Sequence, residues 1–215
     1  MTEDKNIITE GAENTAQENR AKIGVKLVKP YVFEGKEYGE IDLSGLDDLT
    51  IQDAINAQRQ LFGEQEVAAA VLCETTTAFA RTIAAKATGM PIEFFKLMPR
   101  GAFRLVTHEV RSYLNVDTDT DGHVMRLNKP CHYKGVEYRE IDLNGIADLN
   151  TLNESEAENR LTREGFIVAE NSSNYLYACV IASMATGIAE EFFTKLPLRE
   201  LLKLKNAVND ADFFG

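Results

Sequence analysis

Apolar and polar residues alternate in two short stretches near the start of the chain. Such an alternation is typical of a β-strand with one buried face. Between the stretches, Glu34-Gly35-Lys36 predicts a turn, because glycine adopts a positive φ at little cost. We therefore predict a β-hairpin. Its apolar positions are Val25, Leu27, Tyr31, Phe33, Tyr38, Ile41 and Leu43.

Beyond Gly45 the apolar spacing becomes that of helices. Thr50, with Asp53 three residues later, is typical of a helix start. A following stretch rich in Ala, Leu and Thr, without Pro or Gly, predicts a long and mostly buried helix. Gly89 favours the end of that helix, and Pro91 the start of a short one. The predicted helices cover about residues 51–62, 67–87, 91–97 and 100–114.

The second half of the chain repeats the first. Residues 29–49 and 129–149 are identical at 12 of 21 aligned positions, and residues 87–99 and 185–197 at seven of 13. The offset between the copies falls from 100 to 98, which implies a net two-residue deletion in the second. A period near 100 indicates a duplicated domain rather than a solenoid. The helices predicted for the second copy cover about residues 154–164, 172–185, 189–195 and 198–209.

These patterns predict an α+β fold that is mainly α, with two tandem repeats. Each repeat is expected to hold an N-terminal β-hairpin followed by a small bundle of three to four helices. We divide the chain into a flexible N-terminal arm (1–22), a first repeat (23–114), an acidic linker (115–128) and a second repeat (129–215). The arm is predicted because residues 1–22 contain few large apolar side chains with which to offset the entropy of ordering.

The charge of the chain narrows the choice of partners. Of 215 residues, 34 are acidic and 23 basic, which gives a formal net charge of -11. Nucleic-acid binding requires a basic footprint, so we expect no nucleic-acid partner. We also expect no membrane partner, because anionic membranes repel an acidic surface and the sequence has no apolar run of about 18 residues.

The cysteines and histidines lack the spacing of disulfide or metal-binding sites. Cys73, Cys131 and Cys179 are far apart and do not correspond between the copies. Disulfide and zinc frameworks need repeated short spacings, so we predict three reduced thiols. The three histidines also lack metal-ligand spacing.

The linker carries the one motif with metal chemistry. Asp117, Asp119, Asp121 and Gly122 match the opening of an EF-hand calcium loop, in which alternating carboxylates converge on one cation. The twelfth position is Asn128, where such a loop needs a bidentate glutamate. We therefore favour a solvated acidic linker over a calcium site, and we expect no metal and no cofactor.

Enzymatic motifs are missing from the sequence. It has no phosphate-binding loop, nucleophile elbow, zinc-protease helix or C-x-x-C pair. Glu40 and Asp42, like Glu140 and Asp142, place two carboxylates on one strand face, but no histidine recurs beside them. A charged strand edge, which discourages pairing between molecules, is favoured over an acid–base pair. We expect no enzymatic activity.

Two phenylalanine pairs, Phe94-Phe95 and Phe192-Phe193, recur at corresponding positions on the predicted short helices. Adjacent helical residues point in different directions, so one member of each pair is expected in the core. For the other member two alternatives stay open, internal packing or contact with a partner. These four residues are our candidate partner-binding residues.

The order of features in each copy resembles that of small phage tail assembly chaperones of the contractile-tailed type. The resemblance rests on a Lys-Pro pair, a glycine turn, a second strand and a Thr-Gly segment that leads through Glu to Pro before the closing helix. Family members resemble a single copy, so the duplication is a departure. The matching residues are Lys29, Pro30, Gly35, Lys36, Thr88, Gly89, Met90, Glu93 and Pro99, and then Lys129, Pro130, Gly135, Thr186, Gly187, Ile188, Glu191, Pro197 and Glu200.

The resemblance implies a non-enzymatic role. Such chaperones coat the helical tape measure protein in the host cell, keep it soluble and deliver it to tail tube subunits. We therefore expect the tape measure and tail tube proteins as partners, and the host cytoplasm rather than the mature virion as the location. Two tandem modules would add avidity for a repetitive ligand. Self-association, through a hairpin edge or the aromatic pairs, stays open.

Three alternatives to the chaperone also stay open. The first is a structural component of a phage tail or tail-like particle, such as a tube, baseplate or decoration protein, because a duplicated domain often replaces a dimer in a symmetric assembly. The second is an enzyme that uses the acidic linker, which Asp119→Ala would inactivate. The third is an unrelated adaptor protein. A chaperone is absent from purified particles, whereas a structural component remains in them.

Overall fold

The computed structural model describes residues 23–64, 72–115, 120–121, 123–166 and 171–210. The predicted N-terminal arm lies outside them, and so does most of 116–122 in the predicted linker. In the described part of each copy, an antiparallel hairpin is followed by helices, which confirms the predicted α+β, mainly α fold.

Both hairpins have the same turn and the same irregularity. The paired strands are β1 (Gly24–Phe33) with β2 (Lys36–Asp42), and β4 (Val124–Tyr133) with β5 (Val136–Asp142). At the first turn Glu34 and Gly35 both have positive φ, 50° and 77°, a geometry that suits the strand twist. Between Lys26 and Tyr31 the pairing register shifts, so β1 bulges away from β2.

The second hairpin begins earlier than predicted. Residues 124–128, which we assigned to the acidic linker, form the first half of β4, and β3 (Thr120–Asp121) pairs with Val124 and Met125. Met125 is fully buried, at the position that Val25 occupies in the first copy. Few residues match between the copies before residue 129, and this hid a strand that the alternation of Met125 with Leu127 supports.

The helices follow the predicted order in both copies. The first copy contains a 3₁₀ helix (Ser44–Asp48), α1 (Ile51–Gly63), a 3₁₀ turn (Cys73–Thr75), α2 (Thr77–Thr88), α3 (Ile92–Lys96) and α4 (Arg100–Leu114). The second contains a 3₁₀ helix (Asn144–Asp148), α5 (Thr151–Arg163), a 3₁₀ turn (Asn171–Ser173), α6 (Tyr175–Thr186), α7 (Glu190–Thr194), a 3₁₀ turn (Leu198–Glu200) and α8 (Leu201–Val208).

Capping residues set the helix starts. Thr50 and Asp53 form the predicted capping box, with the Thr50 N–H donating to Asp53 Oδ2 at 3.0 Å. The α2 helix begins later than predicted, because the Thr76 hydroxyl caps it by accepting from the Phe79 N–H at 3.1 Å. Gly89 ends α2 with a φ of 67°, as expected of a helix-terminating glycine.

A glycine shared by the copies lets each 3₁₀ helix lie against the end of a longer helix. A Cβ on Gly45 would lie 2.0 Å from the Ala87 carbonyl oxygen, and one on Gly145 would lie 2.2 Å from that of Ala185. Only glycine permits so close an approach of two backbones. The identity of this residue in both copies therefore has a packing cause.

The two repeats share one hydrophobic core, in which their buried apolar side chains form a contiguous cluster. Residues 49–51 of the first repeat run antiparallel to residues 196–198 of the second. The Ile51 N–H donates to the Leu196 carbonyl at 2.9 Å, and the Leu198 N–H donates to the Leu49 carbonyl at 2.8 Å. The α1 helix then packs across α6 and α7.

Polar side chains are buried at the seam between the repeats. The side-chain amide of Gln58, fully buried, donates to the Ser173 carbonyl at 3.0 Å and accepts from the Tyr175 N–H at 3.1 Å. Glu74 accepts from the Tyr175 hydroxyl at 2.8 Å and forms an ion pair with Lys205. These bonds satisfy groups that would otherwise be costly to bury.

Candidate functional site: an apolar groove in the first repeat

A surface groove of about 480 Å³ lies between the bulge of β1 and the start of α4. We call it the first-repeat groove. Of the eight residues that line it, Lys29 alone is charged. The lining residues are Val28, Lys29, Pro30, Tyr31, Pro99, Gly101, Ala102 and Leu105.

The bulge supplies one wall. Pairing with β2 breaks between Lys26 and Tyr31, and Pro30 cannot donate to a strand ladder. Val28 is consequently turned outward and is 91% exposed. Tyr31 is buried beneath it, and its hydroxyl donates to the Phe94 carbonyl at 3.1 Å. Burial raises the pKa of Tyr31, so its hydroxyl stays neutral.

The start of α4 supplies the other wall. Pro99 precedes the helix, and Gly101 and Ala102 leave room beside the bulge because their side chains are absent or small. Leu105, one turn further along α4, remains 38% exposed. The groove can therefore receive an apolar side chain, and its lining contains no carboxylate, histidine or cysteine.

The corresponding groove of the second repeat is closed. Glu200 and Lys203 stand where the first repeat has Ala102 and Leu105. Lys203 Nζ donates to the Arg126 carbonyl at 2.8 Å, and the Asn128 N–H donates to Glu200 Oε1 at 2.8 Å. The Lys203 and Glu200 side chains are only 4% and 2% exposed. The remaining cavity is about 130 Å³.

All four candidate phenylalanines lie in the core. Phe94 is fully buried and packs edge-on against Tyr31 and Phe33, with ring centroids 5.1 and 5.2 Å apart, and against Tyr38. Phe95 is 2% exposed and packs against Phe103. Both faces of α3 are thus covered, one by the hairpin and the other by α4. Of the two alternatives for the second phenylalanine of this pair, the structure shows internal packing rather than an exposed ring.

The second pair is placed in the same way. Phe192 is 2% exposed and packs against Tyr133 and Tyr138, and Phe193 is fully buried. None of these rings offers a surface to a partner in this conformation. Phe94 instead supports the groove from beneath, because its carbonyl accepts the hydrogen bond from the Tyr31 hydroxyl. We therefore move the candidate partner surface from the phenylalanine pairs to the first-repeat groove.

The cysteines and acidic residues form no site in the described residues. Burial raises the pKa of Cys73 to about 12 and also raises that of Cys179, so both thiols stay protonated. Within 23–64, 72–115, 120–121, 123–166 and 171–210, no three His, Cys, Asp or Glu side chains could hold a metal ion. Asp117 and Asp119 lie outside these ranges, whereas the backbone of Asp121 pairs with Val124.

The residues that shape the groove were missed because we looked for features that the copies share. The groove depends on their differences: Val28 against Asn128, Ala102 against Glu200 and Leu105 against Lys203. A position-by-position comparison of the copies would have found this signal.

Comparison with known proteins gave no match, whether to a family model, to a curated protein or to a solved structure. No helix in the described part of the chain is long and apolar enough to cross a membrane.

Proposed function

We propose that the protein is a non-enzymatic phage tail assembly chaperone that binds the tape measure protein through the first-repeat groove. It keeps that protein soluble in the host cytoplasm, passes it to tail tube subunits and leaves before the virion matures. The observation that carries the proposal is an apolar groove, open in one repeat and filled by charged side chains in the other. The resemblance of both repeats to such chaperones gives the class of partner.

The groove suits an apolar side chain projecting from a helix. Burying one side chain of leucine size contributes roughly 1.5–3 kcal/mol, so binding would rest on several weak contacts along a helical partner. The net charge of -11 would keep the complex soluble. Since only one of the two grooves is open, each chain contributes one binding module rather than two.

The second repeat supplies a matched way to close the groove. In the double variant Val28→Asn, Leu105→Lys, both changes introduce the residue that the second repeat has. Both side chains are partly or largely exposed, so the fold should tolerate them. The control Leu152→Gln changes a leucine that is 78% exposed on α5 to its first-repeat counterpart.

The test is co-expression with the tape measure and tail tube proteins, followed by pull-down and by mass spectrometry of lysate and particles. We expect the wild-type chain and Leu152→Gln to keep the tape measure protein soluble and to be absent from particles. The double variant should lose this complex. Equal binding by the double variant would refute the groove as the site. Stoichiometric presence in particles would indicate a structural component instead.

A further inference from the structure

The contact between the repeats joins two different surfaces. Residues 49–51 of the first repeat bind 196–198 of the second, whereas no such bridge joins the corresponding 149–151 and 98–100 within the described residues. A two-fold arrangement would contain both bridges. The observed arrangement is head-to-tail, and such a contact, if repeated between chains, builds a ring when its rotation closes and an open array when it does not.

The helix α1 covers the second repeat with one stripe of residues. Ile51, Ala54, Ile55 and Gln58 are all fully buried. Their counterparts on α5 are polar and at least partly exposed; we call them the free α5 face, namely Thr151, Glu154, Ser155 and Glu158. Leu61 is buried, and so is its counterpart Leu161. At these four positions α5 therefore carries charged or hydroxyl side chains in place of the buried stripe of α1.

The surface of the second repeat that receives the first repeat shows the same contrast. Tyr175 packs against Phe79 across the seam, Leu198 bonds to Leu49, and Leu202 lines a seam cavity with Glu74. All three receiving residues are buried. Their counterparts in the first repeat are exposed and polar; we call them the free α2–α4 face, namely Thr77, Arg100 and Arg104.

The ion pairs of the seam have no equivalent at the free faces. Among the described residues, three ion pairs cross the seam. Their charged atoms are 2.7 Å apart for Arg59 and Glu164, 3.7 Å apart for Asp47 and Arg199, and in contact for Glu74 and Lys205. In each corresponding pair at least one partner is uncharged. These pairs are Asn159 with Glu64, Ala147 with Gly101, and Ser172 with Thr107.

The two glutamates of the free α5 face are already hydrogen-bonded within their own repeat. Glu154 accepts from the Tyr177 hydroxyl, and Glu158 accepts from the Asn171 side chain at 3.0 Å. Docking a second copy in the seam geometry would remove water from these carboxylates without supplying the ion pairs of the seam. Such desolvation opposes association.

We propose that the head-to-tail arrangement does not continue from one copy of this chain to the next, because the free α5 face and the free α2–α4 face prevent a second copy from adding. The glutamates of one face and the arginines of the other attract at long range. Salt screens this attraction, and it does not replace the apolar stripe. The seven residues of the two faces determine the termination.

Each face can be given the residues of its buried counterpart. The α5 graft is Thr151→Ile, Glu154→Ala, Ser155→Ile, Glu158→Gln, and the α2–α4 graft is Thr77→Tyr, Arg100→Leu, Arg104→Leu. In sedimentation velocity at physiological salt, the wild-type chain and each graft alone should be monomeric. A mixture of the two grafts should form a 1:1 dimer and nothing larger, since each has one restored face. A chain with both grafts should form longer arrays whose size grows with concentration.

The association of the mixed grafts should be tighter than any wild-type association by on the order of 100-fold. Far-UV circular dichroism and urea unfolding check that each graft is folded. If a full graft does not fold, the reduced grafts Thr151→Ile, Ser155→Ile and Arg100→Leu, Arg104→Leu change exposed positions alone and should still associate when mixed. Wild-type oligomers at physiological salt, or folded grafts that stay monomeric when mixed, would overturn the proposal.

Discussion

Gln58 is the residue whose substitution best tests whether the repeats fold as one unit. Gln58 lies in the first repeat, and its side-chain amide hydrogen-bonds to the backbone of Ser173 and Tyr175 in the second. Gln58→Ala leaves a buried carbonyl and a buried N–H without partners. Each such group costs about 1–3 kcal/mol, so we expect a loss of about 2–6 kcal/mol in the free energy of unfolding. The matched control is Gln60→Ala, which removes only an exposed bond to Glu64 and should cost no more than about 0.5 kcal/mol.

A second substitution at the same position tests the chemistry. Gln58→Glu keeps the shape, but an ionised carboxylate cannot donate to the Ser173 carbonyl. Burial would raise the pKa of this glutamate above its unfolded value. The protonated form, which can donate, therefore prevails at low pH, and stability is lost as the pH rises through the raised pKa. Relative to wild type at each pH, the variant should be strongly destabilised at pH 7 and nearly restored near pH 4.

The assay is urea unfolding followed by far-UV circular dichroism and by tyrosine fluorescence, since the chain has no tryptophan. We expect one transition seen by both probes, shifted as a whole by Gln58→Ala. Two separate transitions would refute the shared core. A Gln58→Ala stability within about 0.5 kcal/mol of that of Gln60→Ala would refute the role of the amide.

Three further predictions concern single positions. Gly45→Ala drives a Cβ into the Ala87 carbonyl and should cost about 1–3 kcal/mol in urea unfolding, whereas Gly39→Ala, with open space around its Cβ, should be nearly neutral. The hydrogen bond from Arg160 lowers the pKa of Glu164. The bond therefore stabilises the folded state above the unfolded pKa near 4.3, and this stabilisation is lost as the pH falls through the lowered pKa. Glu164→Gln should therefore cost roughly 0.5–1 kcal/mol at pH 7 and nothing near pH 3, unlike a change at exposed Glu156. Lys203→Leu leaves Glu200 buried without its cation and should cost about 3–5 kcal/mol of stability. Adding Glu200→Ala to the same chain should restore most of that stability. Additive losses from the two substitutions would contradict this.

Local patterns were sufficient for much of the fold. The alternation around Tyr31 and Phe33, the capping pair Thr50 and Asp53 and the terminating Gly89 each act within a few residues, and the structure confirms the elements they predict. The start of β4 was missed because we delimited the second copy by sequence identity rather than by its own alternation.

The site depended on contacts that no local pattern contains. Phe94 and Phe95 point in different directions, as expected of adjacent helical residues. Both are nevertheless buried, because α3 lies between the hairpin and α4. Gln58 is polar within an amphipathic helix, so its sequence position suggests a surface residue, and only the second repeat makes it a core residue. Part of the segment between Glu154 and Tyr177, in which the copies diverge, lies on the free α5 face, which the first repeat does not cover as α1 covers the second.

The head-to-tail arrangement also accounts for the inequality of the two grooves. Pro197, Arg199 and Glu200 line the closed groove of the second repeat together with Asp47 and Tyr113 of the first, so the seam occupies that groove. Arg199 lies over the Tyr113 ring with its guanidinium carbon 4.5 Å from the centroid. The corresponding residues of the first repeat, Pro99, Gly101 and Ala102, lie on a surface that the second repeat does not cover, and their groove is open. A second copy added there would cover the same wall, so the mixed grafts should lose the proposed tape measure binding on the chain whose α2–α4 face is occupied. On this reasoning, the polar free α2–α4 face also keeps the proposed partner site accessible.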